Sequence, residues 1–187
     1  MIVLGALPAG VGLFFLVRLL EGTFQGSMTI NVLFEEAAKF ALFVLVALAA
    51  RAGRAAASRK VLLHEKVTLL LFALLCVVVF GITENILYFV SFPTSSIYKR
   101  LLYSYPIHLN TALLYALGFL SGRASSFVLY FIICSLYHLG LNHLSLRLPV
   151  AGVYAFGIAN LVFLLLLYWR VRVKLIERSI QECWNPK

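Results

Sequence analysis

The chain has 187 residues, of which 63% are hydrophobic and 12% are charged, and its formal net charge is +9. This composition, with a mean hydropathy of +0.98, excludes an ordinary soluble domain and is typical of a protein that lies in a lipid bilayer. The sequence has no glycine-rich phosphate-binding loop, which argues against a nucleotide-driven pump and against a nucleotide ligand.

Apolar runs of about 20 residues recur along the chain, and each is long enough to cross a hydrocarbon core of about 30 Å as a helix. We predict an all-α fold, a polytopic transmembrane helical bundle of about six spans that forms one domain over residues 1–187. The predicted spans are 1–20, 28–50, 67–92, 103–121, 127–146 and 150–169. The first lacks a basic n-region and a small-residue cleavage site, so we expect a retained span rather than a cleaved signal peptide.

Lysine and arginine are distributed unevenly between the two sides of this topology. One side has Arg51, Arg54, Arg59, Lys60, Lys66, Arg123, Arg170, Arg172, Lys174, Arg178 and Lys187, and the other has Arg18, Lys99, Arg100 and Arg147. The positive-inside rule then places both termini in the cytoplasm. We expect a multi-pass protein of the plasma membrane. The basic loops are topology signals, so we expect the lipid bilayer, and not nucleic acid, as the partner of this charge.

Ionisable side chains inside a hydrocarbon core cost at least about 2.5–3.5 kcal/mol each, so those that are retained need partners or a function. Four predicted spans retain polar groups: Glu35, Glu36 and Lys39 in the second, Glu84 and Asn85 in the third, His108 and Thr111 in the fourth, and His138 and Asn142 in the fifth. Because the spans alternate in direction, all four groups fall in the outer half of the membrane. We therefore expect them to form a single site.

The spacing of these residues predicts which side chains share a helix face. Glu35 and Lys39 are four residues apart, as are His138 and Asn142, so each pair is expected to stack. Glu36 lies about 100° round the helix from Glu35. One carboxylate can therefore face a reacting centre while Lys39 or a neighbouring helix holds the other.

Such a set of residues suits the hydrolysis of a peptide bond, which needs an activated water, a base and donors for the developing oxyanion. Glu35 is the first candidate for the base and Glu36 the second, with Lys39 offsetting part of their charge. His138 and Asn142 could donate to the oxyanion, and His108 could orient the water. The spacing leaves two mechanisms open, because Glu84, His108 and His138 could instead hold a catalytic zinc ion.

Four segments carry a resemblance to a known family. EEAAK at 35–39 resembles an EExxK motif, and FGITEN at 80–85 resembles FxxxE followed by Asn; HLNT at 108–111 and HLGLN at 138–142 are similar to two histidine-led motifs. In this order they resemble the motifs of the PrsW intramembrane proteases. The wider relatives of that family, the CAAX prenyl endopeptidases and the bacterial CPBP proteins, have EExxxR and FxxxH in place of EExxK and FxxxE. Lys39 and Glu84 favour the PrsW branch.

The resemblance covers about residues 31–143, within a protease-like core of about 28–146. It implies an enzyme that cleaves a membrane-anchored protein substrate, such as an anti-sigma factor, near the outer face of the membrane. It also implies site residues Glu35, Glu36, Lys39, Glu84, Asn85, His108, His138 and Asn142. The family resemblance leaves metal and glutamate chemistry equally open, so the cofactor is zinc or none.

Two other functions remain alternatives to a protease. A proton-coupled transporter or channel also uses chains of Glu and His, but it predicts polar residues at several depths and repeats that are not evident in this sequence. A non-catalytic scaffold that binds membrane proteins would keep the fold, but it would have no need of intact carboxylates and histidines. Neither alternative is excluded by the residues alone.

Overall fold

The computed structural model describes residues 2–24, 27–52, 59–91 and 97–184, and these ranges contain α-helices and no strand. The helices are α1 (Ile2–Phe24), α2 (Met28–Ala52), α3 (Arg59–Ser91), α4 (Ile97–Ser121), α5 (Ala124–Arg147) and α6 (Val150–Trp184). The predicted all-α bundle is therefore confirmed.

Four helices contain segments that are long and apolar enough to cross a membrane. These segments are Leu4–Thr23 in α1, Glu65–Ser91 in α3, Ala124–Ser145 in α5 and Ala151–Glu177 in α6. They give the protein the character of a membrane protein. The other two, α2 and α4, are 25 residues long and carry polar clusters in their interiors, and their crossing of the membrane stays a prediction.

Three helices extend well beyond the predicted spans. The helix α3 begins at Arg59 rather than at residue 67, and α4 begins at Ile97 rather than at 103. The largest difference is in α6, which continues to Trp184 instead of ending at 169. Hydropathy marks where the apolar run ends, whereas a helix continues through Lys, Arg and Glu, which are good helix formers.

The most enclosed helix is α4, which packs against α3, α5 and α6. Between residues 106 and 120 all but two of its side chains are buried. The ring of Tyr115 stacks on Phe43 of α2 with ring centroids 5.6 Å apart. The helices α1, α5 and α6 expose many apolar residues, such as Leu4, Leu129 and Leu165, as expected for surfaces that face lipid.

A glycine allows α1 to approach α3 closely. A Cβ atom built on Gly10 would lie 2.6 Å from the carbonyl oxygen of Cys76 and 2.7 Å from Cβ of Val79. Small residues at such crossings are typical of helices that associate in membranes, where the close approach of two backbones supplies the packing energy.

Replacing this glycine should separate the two helices. We expect Gly10→Ala to destabilise the protein by about 1–3 kcal/mol, the usual cost of overpacking, and to lower its melting temperature in detergent. Gly12→Ala is the matched control, because a Cβ at Gly12 meets no atom within 4 Å. Equal melting temperatures for the two variants would contradict this account of the α1–α3 contact.

Candidate active site

Glu36 lies at the centre of a buried polar cluster and has no exposed surface. Its Oε1 accepts a hydrogen bond from Nζ of Lys39 at 2.5 Å and a second from Nδ1 of His138 at 2.8 Å. Its Oε2 accepts a hydrogen bond from the hydroxyl of Tyr115 at 3.2 Å. Both oxygens of Glu36 are therefore engaged, and the carboxylate joins α2 to α4 and α5.

Lys39 is also fully buried and has two oxygen partners. Besides Glu36, its Nζ donates to Oγ1 of Thr111 at 3.3 Å, and it lies 5.8 Å from the centroid of the Phe80 ring. The sequence left open which carboxylate Lys39 holds, and the ion pair forms with Glu36 at i, i+3. Nζ of Lys39 lies between Glu36 and Thr111 of α4, whereas the Glu35 carboxylate lies near Glu84 and His108.

A second carboxylate–imidazole pair joins α3 to α4. Oε2 of Glu84 and Nε2 of His108 are 2.5 Å apart and share a hydrogen bond. Both residues are buried, and Nδ1 of His108 has no hydrogen-bond partner. Gly81 lets the two helices approach here, since a Cβ at that position would lie 3.2 Å from Cδ2 of His108.

The carboxylate of Glu35 differs from that of Glu36 because one of its oxygens accepts no hydrogen bond. Its Oε2 is buried and has no hydrogen-bond partner, although it lies 3.8 Å from Nε2 of His138. The rings of His138 and His108 are perpendicular, with centroids 5.4 Å apart. Of the two adjacent carboxylates, Glu36 is thus held by its neighbours, and Glu35 faces the space between the two histidines.

Three side chains in this space could hold a metal ion. Glu35, Glu84 and His108 each offer one donor atom, and the three atoms lie within 4.8 Å of one another. The predicted zinc ligands were Glu84, His108 and His138, so the geometric group contains two of them and has Glu35 in place of His138. Two oxygens and one imidazole nitrogen suit zinc, and the unpaired Oε2 of Glu35 fits a cation or a water.

The two asparagines predicted for the site do not join the cluster by hydrogen bonds within the described part of the chain. Asn85 is buried beside Glu84, but its Nδ2 donates to the carbonyl oxygen of Gly81 at 2.7 Å and its Oδ1 has no partner. Asn142 is half-buried one turn beyond His138, and its carbonyl oxygen accepts from Ser145. The side chain of His138 contacts Glu36 of α2. Asn142 makes no such contact among the described residues, although it lies four residues after His138.

Sequence reasoning missed Tyr115, whose hydroxyl donates to Glu36. It follows His108 by seven residues and Thr111 by four, so the three lie on one face of α4. This spacing was a usable signal. We overlooked it because an aromatic residue within an apolar run usually belongs to the packed core.

Sequence reasoning also missed Glu21 of α1, which is only 7% exposed. Its Oε2 accepts a hydrogen bond from Nη1 of Arg18 at 2.6 Å, while its Oε1 has no partner. The Glu21 carboxylate interacts electrostatically with Glu84 and Glu35. The first predicted span ended before Glu21, whereas α1 continues to Phe24 and buries the residue.

The hydrogen bond from Tyr115 to Glu36 can be tested without any substrate. We expect Tyr115→Phe to lower the free energy of unfolding by about 1–2 kcal/mol, because a buried carboxylate loses one of its donors while the ring stays in place. Tyr168→Phe is the matched control, since Tyr168 is exposed on α6. Thermal unfolding in detergent measures both; equal losses would remove the Tyr115 hydroxyl from the network.

The cluster thus combines one free carboxylate oxygen with two carboxylate–imidazole pairs, supplied by α2, α3, α4 and α5. Comparisons of the chain with protein-family models, with curated proteins and with solved structures find no match. What the cluster does must therefore be argued from its residues and from the motifs that supply them.

Proposed function

We propose that the chain is an intramembrane endopeptidase of the PrsW type, which cleaves a membrane-anchored protein substrate of the anti-sigma-factor kind. The observation that carries this proposal is the buried Oε2 of Glu35, which has no hydrogen-bond partner and lies 3.8 Å from Nε2 of His138. A water bound there meets both a base and an imidazole. The order of the four motifs along the chain supports the same proposal.

In the proposed reaction Glu35 is the general base. It accepts a proton from the attacking water and returns it to the leaving amine when the peptide bond breaks. Glu36 accepts the Nδ1 proton of His138 and so fixes the ring with Nε2 toward Glu35. In its protonated form His138 donates a hydrogen bond from Nε2 to the oxyanion. Asn142 was also predicted as an oxyanion donor, but it makes no hydrogen bond to the cluster within the described residues.

The proposed hydrolysis also has a zinc-dependent version. Glu35, Glu84 and His108 would hold the ion, since their donor atoms lie within 4.8 Å of one another. Zinc supplies a Lewis acid and an activated water when bound. Lys39 and Glu36 then still orient His138 beside the reacting centre. A zinc chelator in the cleavage assay separates the two forms, because only the zinc form loses activity.

The proposed orientation places the site in the outer half of the plasma membrane and both termini in the cytoplasm. Basic residues gather at one end of the bundle, which supports this orientation. Nη2 of Arg51, at the end of α2, donates to the carbonyl oxygen of Gly122 at 3.3 Å, and Arg123 follows in the same turn. Arg51 lies more than four helical turns beyond Glu35 along α2, so this basic end is far from the polar cluster.

The two adjacent carboxylates should respond differently to the same substitution. We expect Glu35→Gln to lower the cleavage rate at least about 100-fold with an unchanged melting temperature, because a general base contributes about 10²–10⁴-fold. Glu36→Gln should lower the cleavage rate and the melting temperature together, because it removes a buried charge that Lys39 and His138 need. The assay uses purified protein in detergent with a panel of single-span substrates.

Glu65→Gln is the control, because Glu65 is exposed near the start of the apolar segment of α3. Full cleavage by Glu35→Gln would refute the role of Glu35. A wild-type protein that cleaves no substrate but shows Glu35-dependent proton flux in liposomes would be a transporter. Binding of substrate without cleavage or proton flux would favour the non-catalytic scaffold.

A further inference from the structure

The helices α5 and α6 meet near the middle of the bundle, and farther along they line a cavity that is partly open to the surroundings. The rings of Tyr137 and Phe163 are 5.7 Å apart, and the hydroxyl of Tyr137 donates to Oδ1 of Asn160 at 2.7 Å. Toward the start of α5 and the end of α6, a cavity of about 380 Å³ lies between these helices and α4. It is separate from the cluster around Glu36.

Three cationic side chains and one carboxylate line this cavity. Arg123 comes from the turn between α4 and α5, and Arg170 and Lys174 come from α6. The one carboxylate in the lining, Glu177, accepts a hydrogen bond from Lys174 at 2.8 Å. Arg170 attracts the Glu177 carboxylate electrostatically, but neither guanidinium group makes a hydrogen bond or a close ion pair with a described residue. The cavity therefore has an excess of positive charge that comes from two separate elements.

The chemistry of the lining favours a phosphate group as the ligand. Arginine donates two parallel hydrogen bonds to phosphate oxygens, which makes it the usual residue for this group. The hydroxyl-bearing side chains of Ser126 and Tyr130 add polar surface, while Leu117 and Leu120 of α4 line the apolar part. The volume lies within the range of small-molecule sites, about 300–1,000 Å³.

The surroundings favour a phosphate that belongs to a lipid. The cavity lies at the basic end of the bundle, where the headgroups of an anionic leaflet would be found, and basic pockets between membrane helices bind such headgroups. Exposed apolar side chains continue from the cavity along α5 and α6, among them Leu129, Ile133 and Leu166. They provide a surface for acyl chains next to a site for the headgroup.

We propose that this cavity binds the phosphate group of an anionic phospholipid, held by Arg123 and Arg170. A phosphate bound by both arginines would bridge α6 and the α4–α5 turn, at the end of the bundle where the cavity separates α5 from α6. The proposal rests on the membrane character of the helices and not on protease activity. A Glu35→Gln protein should therefore bind the lipid as the wild type does.

The test compares two arginines of α6 that are two residues apart. Both side chains are exposed, but only Arg170 lines the cavity, so Arg170→Gln and Arg172→Gln remove the same charge at nearly the same depth. The full chain in detergent is titrated with phosphatidylglycerol, and bound lipid is counted by native mass spectrometry. We expect Arg170→Gln to weaken the first binding event about tenfold or more, and Arg172→Gln less than about twofold.

Additional variants and ligands identify the source of the phosphate and show whether a loss of binding is caused by misfolding. Arg123→Gln should weaken binding as Arg170→Gln does, whereas Arg170→Lys should retain part of it because the charge stays. Phosphatidylcholine should bind more weakly than phosphatidylglycerol. Glycerol 3-phosphate tests whether the ligand is soluble. If it binds and Arg170→Gln weakens that binding, while phosphatidylglycerol does not bind, the cavity is a site for a soluble phosphate and the lipid proposal is wrong. Equal lipid binding by the Arg170→Gln and Arg172→Gln proteins would overturn the proposal.

Discussion

The carboxylate of Glu36 is the interaction on which the rest of the site depends. An ionised group in a packed apolar bundle is tolerated only when its charge and its lone pairs are matched by donors. Lys39 supplies the opposite charge, and the side chains of His138 and Tyr115 supply further donors from α5 and α4. Removing any one of them leaves a buried charge short of a partner. The same contacts that satisfy Glu36 therefore fix three helices relative to one another.

In the proposed mechanism this arrangement leaves the neighbouring carboxylate, Glu35, available as the general base. Adjacent positions on a helix point about 100° apart, so the Glu35 carboxylate does not receive the hydrogen bonds that Lys39 and Tyr115 donate to Glu36. Its Oε2 lies instead among His138, Glu84 and His108, in a space bounded by two imidazole rings. The proposed phosphate site has no residue in common with this space. The polar cluster and the proposed lipid site thus lie in different parts of the bundle.

The sequence predicted the features that hydropathy and charge penalties control. Long apolar runs gave the six helices, and the high cost of ionisable groups in such runs identified the polar positions that meet in the structure. The partner of Lys39 was not predictable, because i, i+3 and i, i+4 neighbours are equally near and the choice depends on Thr111 of another helix. The burial of Glu21 was missed because a helix can continue past its apolar run.

If Glu36 is held by its neighbours and Glu35 is free to react, the two carboxyl groups should differ in their reactivity toward a carbodiimide. Dicyclohexylcarbodiimide, a lipophilic reagent, modifies carboxyl groups in apolar surroundings that are not locked in ion pairs, and peptide mapping by mass spectrometry distinguishes positions 35 and 36. In the folded protein in detergent we expect modification of Glu35, protection of Glu36, and loss of the label in Glu35→Gln. Modification of Glu36 with protection of Glu35 would contradict this expectation.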